Sequence, residues 1–275
     1  MAITGSGTQA DPWIVTTYAE LVSKADDEGY IKIGNDINIT DEYPDGDMPT
    51  LEIVKSDIDG DGKVISNWYK TDSGYCINTT DSSDTVSCIH DLTIRNIYIK
   101  DSVDAFLKRG DSDTRDFFVN CNISGMLFNP FTDNSSNTVR FKYCSINCDT
   151  GGNAPFGSNG FRVDSCYVKF KSSYSSSGFL GDNLGRCGFD SYFDLDLPNI
   201  ASSYNIDQYG NGFDNCVLDI RSNSSFYIGS GSTVSILNST NAPNAHITGS
   251  TLKPVDDTHW LDVAYLASIG FAIAE

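Results

Sequence analysis

Basic residues are scarce in this chain. It has 18 lysines and arginines against 37 aspartates and glutamates, which gives a formal net charge of −19. Binding to nucleic acid or to an anionic membrane needs a basic surface that attracts phosphate groups. We therefore expect neither nucleic acid nor a membrane among the partners, and we expect a soluble protein with an acidic, self-repelling surface.

Long apolar runs are missing as well. A membrane-spanning helix needs about 20 consecutive apolar residues, and a secretory signal peptide begins with a basic segment followed by an apolar one. Neither pattern occurs in the sequence. We therefore expect the chain to be made and folded in a reducing cytoplasm, with lysis or a dedicated machine as its route outward.

Histidine and cysteine do not cluster along the sequence. His90, His246 and His259 are scattered, and no CxxC pair occurs. Zinc sites and Cys-His or Ser-His-Asp sets are recognised from much closer or more characteristic spacing. The sequence therefore predicts no zinc site, no catalytic triad and no cofactor.

The chain does contain a repeat. Six segments are close variants of the template apolar, any residue, Asn or Ser, Cys or apolar, any residue, apolar. Their first residues are separated by 24, 23, 22, 26 and 24 positions and are Ile94, Phe118, Phe141, Val163, Phe189 and Phe213. A period in this range indicates a solenoid.

Apolar and polar residues alternate within each repeat, which is the pattern of a strand. Helical repeats would need three- and four-residue spacing, and leucine-rich repeats would need a leucine consensus; the sequence has neither. A second column is aromatic, and Gly-, Ser- and Asn-rich turns separate it from the first; its members are Phe106, Phe128, Phe156, Phe179, Tyr204 and Tyr227. We therefore predict an all-β, single-stranded, right-handed parallel β-helix of about eight coils, each of roughly 22–26 residues.

Two polar or sulfur-containing columns refine this prediction. Asparagine tolerates left-handed backbone angles, so we place one column at the tight bend between two sheets; it contains Asn67, Asn96, Asn120, Asn215 and Asn238. The other column contains Cys121, Cys144, Cys166 and Cys216. Stacked Cβ atoms about 4.8 Å apart are too distant for a good disulfide, so we predict a structural stack of buried thiols. Pairing of Cys76 with Cys88 stays open.

Two further stretches resemble the pectate-lyase-like right-handed parallel β-helix superfamily, in particular its phage virion members. They are residues 5–15 (GSGTQADPWIV) and residues 58–65 (IDGDGKVI), the latter followed by the asparagine-turn coils. The resemblance extends over most of the chain and implies the fold. It leaves the function open, because that superfamily holds lyases, hydrolases, tailspikes and inert virion parts.

The chain divides into three predicted parts. Residues 1–50 form an N-terminal arm and cap, residues 51–255 the parallel β-helix, and residues 256–275 a C-terminal cap or docking tail. Thr17 is placed to cap a short helix from Tyr18 to about Asp27, and this helix would close the open end of the first coil.

One acidic motif resembles the start of a calcium loop. Asp57, Asp59 and Asp61 occupy the first three ligand positions. Trp68 stands where the loop needs a bidentate Glu. We therefore favour a turn of a coil over a calcium site at these residues.

A second acidic set would share one outward column. The template places Asp164, Asp190 and Asp214 there, about 5 Å apart per coil. Paired acids at such a distance could serve glycoside hydrolysis or hold a cation. The same column continues as Lys142, Val119 and Arg95, and this mixture favours an ordinary solvated face.

Three hypotheses for the function follow. The first is a non-enzymatic structural protein of a phage virion, assembled in the host cytoplasm as a capsid decoration, head fibre or tail appendage. Its partners would be other capsid or tail proteins, with a homotrimer as one candidate assembly. The second is a tailspike-like depolymerase or lyase acting on a bacterial surface glycan, and the third is an adhesin-like glycan binder.

Overall fold

A computed structural model describes most of the N-terminal two thirds of the chain and the strands that follow. The residues described are 3–27, 29–45, 48–70, 74–79, 88–99, 105–109, 117–126, 131–132, 139–150, 161–172, 188–197, 213–214, 216–222, 227–228, 233–237, 246–247 and 251–252. Several sequence predictions lie outside them: the C-terminal cap at 256–275, Asn215 and Asn238, and the aromatic positions Phe128, Phe156, Phe179 and Tyr204.

Almost all regular structure is β-strand. The strands in chain order are β1 (Trp13–Val15), β2 (Gly29–Ile33), β3 (Ile37–Asn38), β4 (Leu51–Ile53), β5 (Ser56–Asp59), β6 (Val64–Ser66), β7 (Tyr69–Lys70), β8 (Tyr75–Thr79), β9 (Cys88–His90), β10 (Thr93–Ile99), β11 (Ala105–Arg109), β12 (Phe118–Val119), β13 (Asn122–Met126), β14 (Phe131–Thr132), β15 (Val139–Lys142), β16 (Ser145–Thr150), β17 (Phe161–Asp164), β18 (Tyr167–Ser172), β19 (Gly188–Phe189), β20 (Tyr192–Leu197), β21 (Phe213–Asp214), β22 (Cys216–Ser222), β23 (Tyr227–Ile228), β24 (Thr233–Leu237), β25 (His246–Ile247) and β26 (Thr251–Leu252). One α-helix, α1 (Tyr18–Ala25), and a 3-10 helix (Ile39–Asp41) accompany them in the described residues.

Parallel pairing stacks these strands into sheets. In the described part of the chain, the first sheet has nine strands in the order β1-β2-β5-β9-β12-β15-β17-β19-β21, and the second has eleven, with β3 at one end and β26 at the other. A third sheet has the order β14-β11-β8-β4, and β23 pairs with β25. Successive strands of a sheet come from successive coils. The predicted all-β right-handed parallel β-helix is therefore confirmed.

Helix α1 closes the first coil as the sequence predicts. The Thr17 hydroxyl accepts a hydrogen bond from the Glu20 N–H at 3.2 Å, and the apolar side of the helix buries Tyr18, Leu21 and Ala25. The Glu42 carboxylate accepts bonds from the first two helical N–H groups, at 2.7 and 3.0 Å. Within the described residues, no helix has the length and apolarity needed to cross a membrane.

The N-terminal arm is part of this cap. Ile14 N–H donates to Thr4 O at 2.9 Å, and Tyr30 N–H donates to Gly7 O at 2.9 Å. The arm therefore folds back onto the first coil and is already packed. Coil-to-coil pairing also runs across residue 50, since β2 pairs with β5 and β3 with β6.

The predicted asparagine column is in fact two columns. Asn67 (φ 61°) directly follows β6, and Asn96 (φ 55°) lies within β10, so both belong to the second sheet. Their side chains form a ladder, in which Asn96 donates to Asn67 at 3.2 Å and Asn67 donates to Asn38 at 2.8 Å. Asn120 (φ 52°) lies instead at the corner between the first and second sheets, beside Asp91 (φ 53°).

The reason is a register error in the template. Phe118 pairs with Ile89, whereas Ile94 pairs with Ile123. The first residue of that repeat is therefore Ile89, and equivalent positions such as Asp91 and Asn120 are 29 residues apart. The repeat is longer here than the 22 to 26 positions that the later coils suggest.

The cysteine column can be followed from coil to coil. Cys121, Cys144, Cys166 and Cys216 are all buried, and Ser191 takes the place between the last two. The Cys121 N–H donates to Cys144 Sγ at 3.4 Å, and the Cys144 N–H donates to Cys166 Sγ at 3.3 Å. Burial, together with the neighbouring thiols, raises the pKa of Cys144 well above its ordinary value, so this thiol stays protonated.

Two of these thiols, those of Cys144 and Cys166, accept backbone hydrogen bonds that the corner would otherwise leave unmade. Successive N–H groups of a parallel strand normally point to opposite neighbours. At this left-handed corner two successive groups point to the same coil: Asn120 N–H finds Lys142 O at 2.9 Å, and Cys121 N–H finds only the Cys144 sulfur. The thiols of Cys144 and Cys166 therefore both fill the core and pair a buried donor.

A prediction for Cys144 separates these two roles. Cys144→Ser keeps an acceptor for the Cys121 N–H, as Ser191 does for Cys166 at 3.0 Å, whereas Cys144→Ala leaves the donor unpaired. We expect the alanine variant to be less stable than the serine variant by about 1–2 kcal/mol, measured by urea unfolding. Equal stability of the two variants would mean that packing alone explains the cysteine column.

A bulge ends the asparagine ladder at Gly125. Ile94 pairs with Ile123 and Ile97 with Gly125, so that two residues of β10 face one residue of β13. Gly125 has a φ of 148°, and a Cβ placed there would lie 2.3 Å from Ile97 N. Only glycine fits this approach.

Gly125→Ala should therefore lower the free energy of unfolding by at least about 3 kcal/mol. Gly62 is the matched control, because it has a φ of 71° but nothing within 4 Å of an added Cβ; Gly62→Ala should cost about 1–2 kcal/mol for the left-handed angle alone. Similar losses in the two variants, by urea unfolding, would contradict the close approach at Gly125.

Candidate functional site

The outward residues of the first sheet form one column that crosses the coils. Strand pairing orders it as Lys32, Asp59, His90, Val119, Lys142, Asp164, Phe189 and Asp214. The template agreed with this order at Val119 and Lys142 but continued to Arg95. His90 occupies that place instead, because the coil begins at Ile89.

Only two of the three candidate catalytic acids, Asp164 and Asp214, lie in this column. Phe189 lies between Asp164 and Asp214, since Gly188 pairs with both Val163 and Phe213. Asp190 is one residue further along, at the corner, with a φ of 44°. The predicted stack of three carboxylates is therefore wrong in its geometry. A catalytic role for any of these acids stays a prediction.

The carboxylates of the calcium-like motif do not converge either. The Lys32 Nζ lies 3.0 Å from Asp61 Oδ1, and Asp59 Oδ1 accepts a bond from the Asp61 N–H at 2.8 Å. Asp57 and Asp59 lie on β5, and Asp61 lies in the turn that follows. The motif forms the turn of a coil, which is the alternative that the sequence favoured.

A different group does converge. Of the described residues, Asp59, His90 and Asp91 bring three possible metal-ligand atoms within 4.8 Å of one another. His90 Nδ1 lies 2.8 Å from Asp91 Oδ2 and 3.8 Å from Asp59 Oδ1, and Nε2 lies 3.4 Å from Asp57 Oδ1. We call Asp57, Asp59, His90 and Asp91 the His90 cluster.

The backbone holds this cluster in place. Strand β5 pairs with β9, with Asp57 opposite Cys88 and Asp59 opposite His90. The turn after β5 is bonded to the same coil, because Gly60 N–H donates to His90 O at 2.7 Å and Gly62 N–H donates to Asp91 O at 2.8 Å. The carboxylates therefore reach the imidazole from two successive coils.

The charges in the cluster shift the pKa values of its members. The Asp57 carboxylate, followed by Asp91 and Asp59, raises the pKa of His90 to about 9, although burial acts in the opposite direction. Burial favours a higher pKa for Asp91, but the bonds from His90 and Asn120 outweigh it and lower that pKa. At neutral pH His90 is therefore an imidazolium held by three carboxylates.

Clefts open on both sides of the cluster. One has a volume of about 510 Å³, and its lining includes Asp59, Asp91, Asn120 and Asn122. The other, about 120 Å³, lies between His90 and the cap and includes Tyr30 and Lys32. Carboxylates and amides dominate the larger cleft, so it suits hydroxyl-rich or cationic ligands.

Sequence reasoning missed His90 and Asp91 because the two were assigned to no repeat. The signal was present: Ile58-Asp59 and Ile89-His90 are equivalent pairs in the pairing of β5 with β9. A template that tolerated a longer coil would have placed His90 beside Asp59.

Comparison with known proteins identifies no family. No protein-family model and no curated protein matches the chain. Among solved structures, the chain is similar to a protein from Bacteroides ovatus that carries the provisional name immunoglobulin A1 protease. The match has a TM-score of 0.38 and 14% sequence identity over 90% of this chain and 76% of that one. So distant a likeness carries no inference about function.

The cluster predicts a pH dependence of stability. Because the pKa of His90 is about 9 in the folded chain and near 6.5 when unfolded, its contribution is complete below about pH 6.5 and lost as the pH rises through about 9. Relative to His90→Gln, the wild type should lose on the order of 1–3 kcal/mol between pH 6 and pH 10. Urea unfolding at both pH values, with chelator present, measures this. A constant difference between the two proteins would contradict the ion pairs.

Proposed function

We propose that this chain is a non-enzymatic structural protein of a phage virion, of the pectate-lyase-like β-helix type. It serves as a capsid decoration, a head fibre or a tail appendage. Its partners are other capsid or tail proteins, and it assembles with them in the host cytoplasm as single copies or as a homotrimer.

The observation that supports this role best is the uninterrupted first sheet. Nine parallel strands pair in sequence from β1 to β21, so this sheet alone extends about 38 Å along the axis of the helix. Stacked interior side chains reinforce it, as with Phe118 and Phe141, whose ring centroids lie 5.0 Å apart. Such a stack holds its two ends at a fixed separation, which suits a rigid spacer.

The surface charge supports the same role. A net charge of −19 keeps copies of the chain apart until a specific contact joins them. The N-terminal arm is packed onto the first coil, so we assign docking to the opposite end, where the sequence predicts a C-terminal cap or docking tail at 256–275. The long acidic sides then face solvent.

Fractionation of particles tests this proposal. The full chain, detected by antibody in a lysate that contains the phage, should sediment with purified particles in a density gradient and appear on them by immunogold labelling. In a matched sample that is lysed before particles form, the chain should stay at the top of the gradient. Recovery at the top in both samples would overturn the virion role.

The larger cleft favours a second candidate function, the binding or cleavage of a bacterial surface glycan. Its amide and carboxylate groups, from Asn120, Asn122 and Asp91, are hydrogen-bonding partners for sugar hydroxyls. Incubation with capsule polysaccharide distinguishes the possibilities: new reducing ends or an unsaturated uronate indicate turnover, and retention without product indicates an adhesin. Asp164→Asn and Asp214→Asn would then test the predicted acids.

A further inference from the structure

We propose that Asp59, His90 and Asp91 bind a divalent first-row transition ion, with Zn²⁺ as the ion that the site fits. The ion would be held by Nδ1 of the imidazole and by one oxygen from each carboxylate. This site is independent of the virion role.

The spacing of the ligand atoms suits such an ion. Ligands bound to tetrahedral zinc at about 2.0–2.1 Å are roughly 3.3 Å from one another. His90 Nδ1 lies 2.8 Å from Asp91 Oδ2 and 3.8 Å from Asp59 Oδ1, so the two distances bracket the required one. The Asp59 and Asp91 ligand atoms are within 4.8 Å of each other.

Each ligand residue also has a partner outside the set of three. Asp57 Oδ1 is buried without a hydrogen-bond partner and faces His90 Nε2 at 3.4 Å. Asn120 donates to Asp91 Oδ1, and the Asp61 N–H donates to Asp59 Oδ1 at 2.8 Å. A carboxylate behind a histidine fixes the tautomer whose other nitrogen faces the metal, and Asp57 is placed to do this.

The choice of ion follows from the donor set. Imidazole nitrogen suits zinc and other late first-row ions, whereas calcium and magnesium prefer an all-oxygen shell. Asp61, which a calcium loop would need, is bound instead to Lys32. The cleft beside Asp59 and Asp91 leaves room for water as a fourth ligand.

Binding would join two coils. Asp59 is the last residue of β5 in one coil, and His90 and Asp91 come from the next coil. An ion held by both stabilises the folded chain by RT ln(1 + [L]/Kd), beside the cap where the stack of coils begins.

Metal titration of the chelator-treated full chain tests the site. Zn²⁺ binding is measured by calorimetry, and Co²⁺ serves as a spectroscopic probe, because its visible absorption reports tetrahedral coordination that includes nitrogen. We expect one site per chain. His90→Gln and Asp91→Asn should each weaken Zn²⁺ binding at least tenfold, and Asp57→Asn should weaken it about tenfold through the imidazole.

The design includes controls for fold and for charge. Asparagine tolerates the left-handed angle at position 91, so Asp91→Asn should keep the fold, as circular dichroism can verify. Asp61→Asn removes the same charge from the same cleft but should change the affinity less than threefold. No Zn²⁺ binding by the wild type, or binding that His90→Gln and Asp91→Asn leave unchanged, would overturn the site.

Discussion

Hydrogen bonding between successive coils is the constraint on which the rest of the structure depends. Each inner strand of the first sheet is in register with the strand one coil before and one coil after it, so a side chain's neighbours are set by residues about 18 to 31 positions away. His90 meets Asp59 only because Ile89 pairs with Ile58. The surface chemistry of this protein is therefore a consequence of register.

The corner between the first two sheets shows what that register requires locally. A left-handed residue turns the chain but directs two successive N–H groups toward the same coil, and the second meets sulfur or a serine hydroxyl. The column therefore needs a small side chain that packs like an apolar residue and also accepts a bond. Cysteine meets both needs, and Ser191 shows that the hydroxyl does as well.

The sequence predicts the fold well and the surface less well, for one physical reason. Repeats of Phe118, Phe141 and Val163 are nearly equal in length, so template and structure agree there. The coils before Phe118 are longer, and a template of fixed period shifts Asn96 onto Asn120. Interior positions tolerate that shift, since an apolar residue is found at either place. Outward positions do not, because a shift of five residues replaces His90 with Arg95 and a shift of one residue replaces Phe189 with Asp190.

The His90 cluster brings three carboxylates of this acidic protein close together, so their mutual repulsion is concentrated there. Asp57, Asp59 and Asp91 lie within reach of one imidazole, and each would repel the others if that ring were neutral and no cation were bound. A proton on the ring adds one positive charge, and Nε2 faces Asp57 Oδ1 at 3.4 Å. A divalent ion at Nδ1 would add two charges and leave the Nε2 proton to Asp57. The proposed ion would therefore offset more of the negative charge of the three carboxylates than the ring proton does.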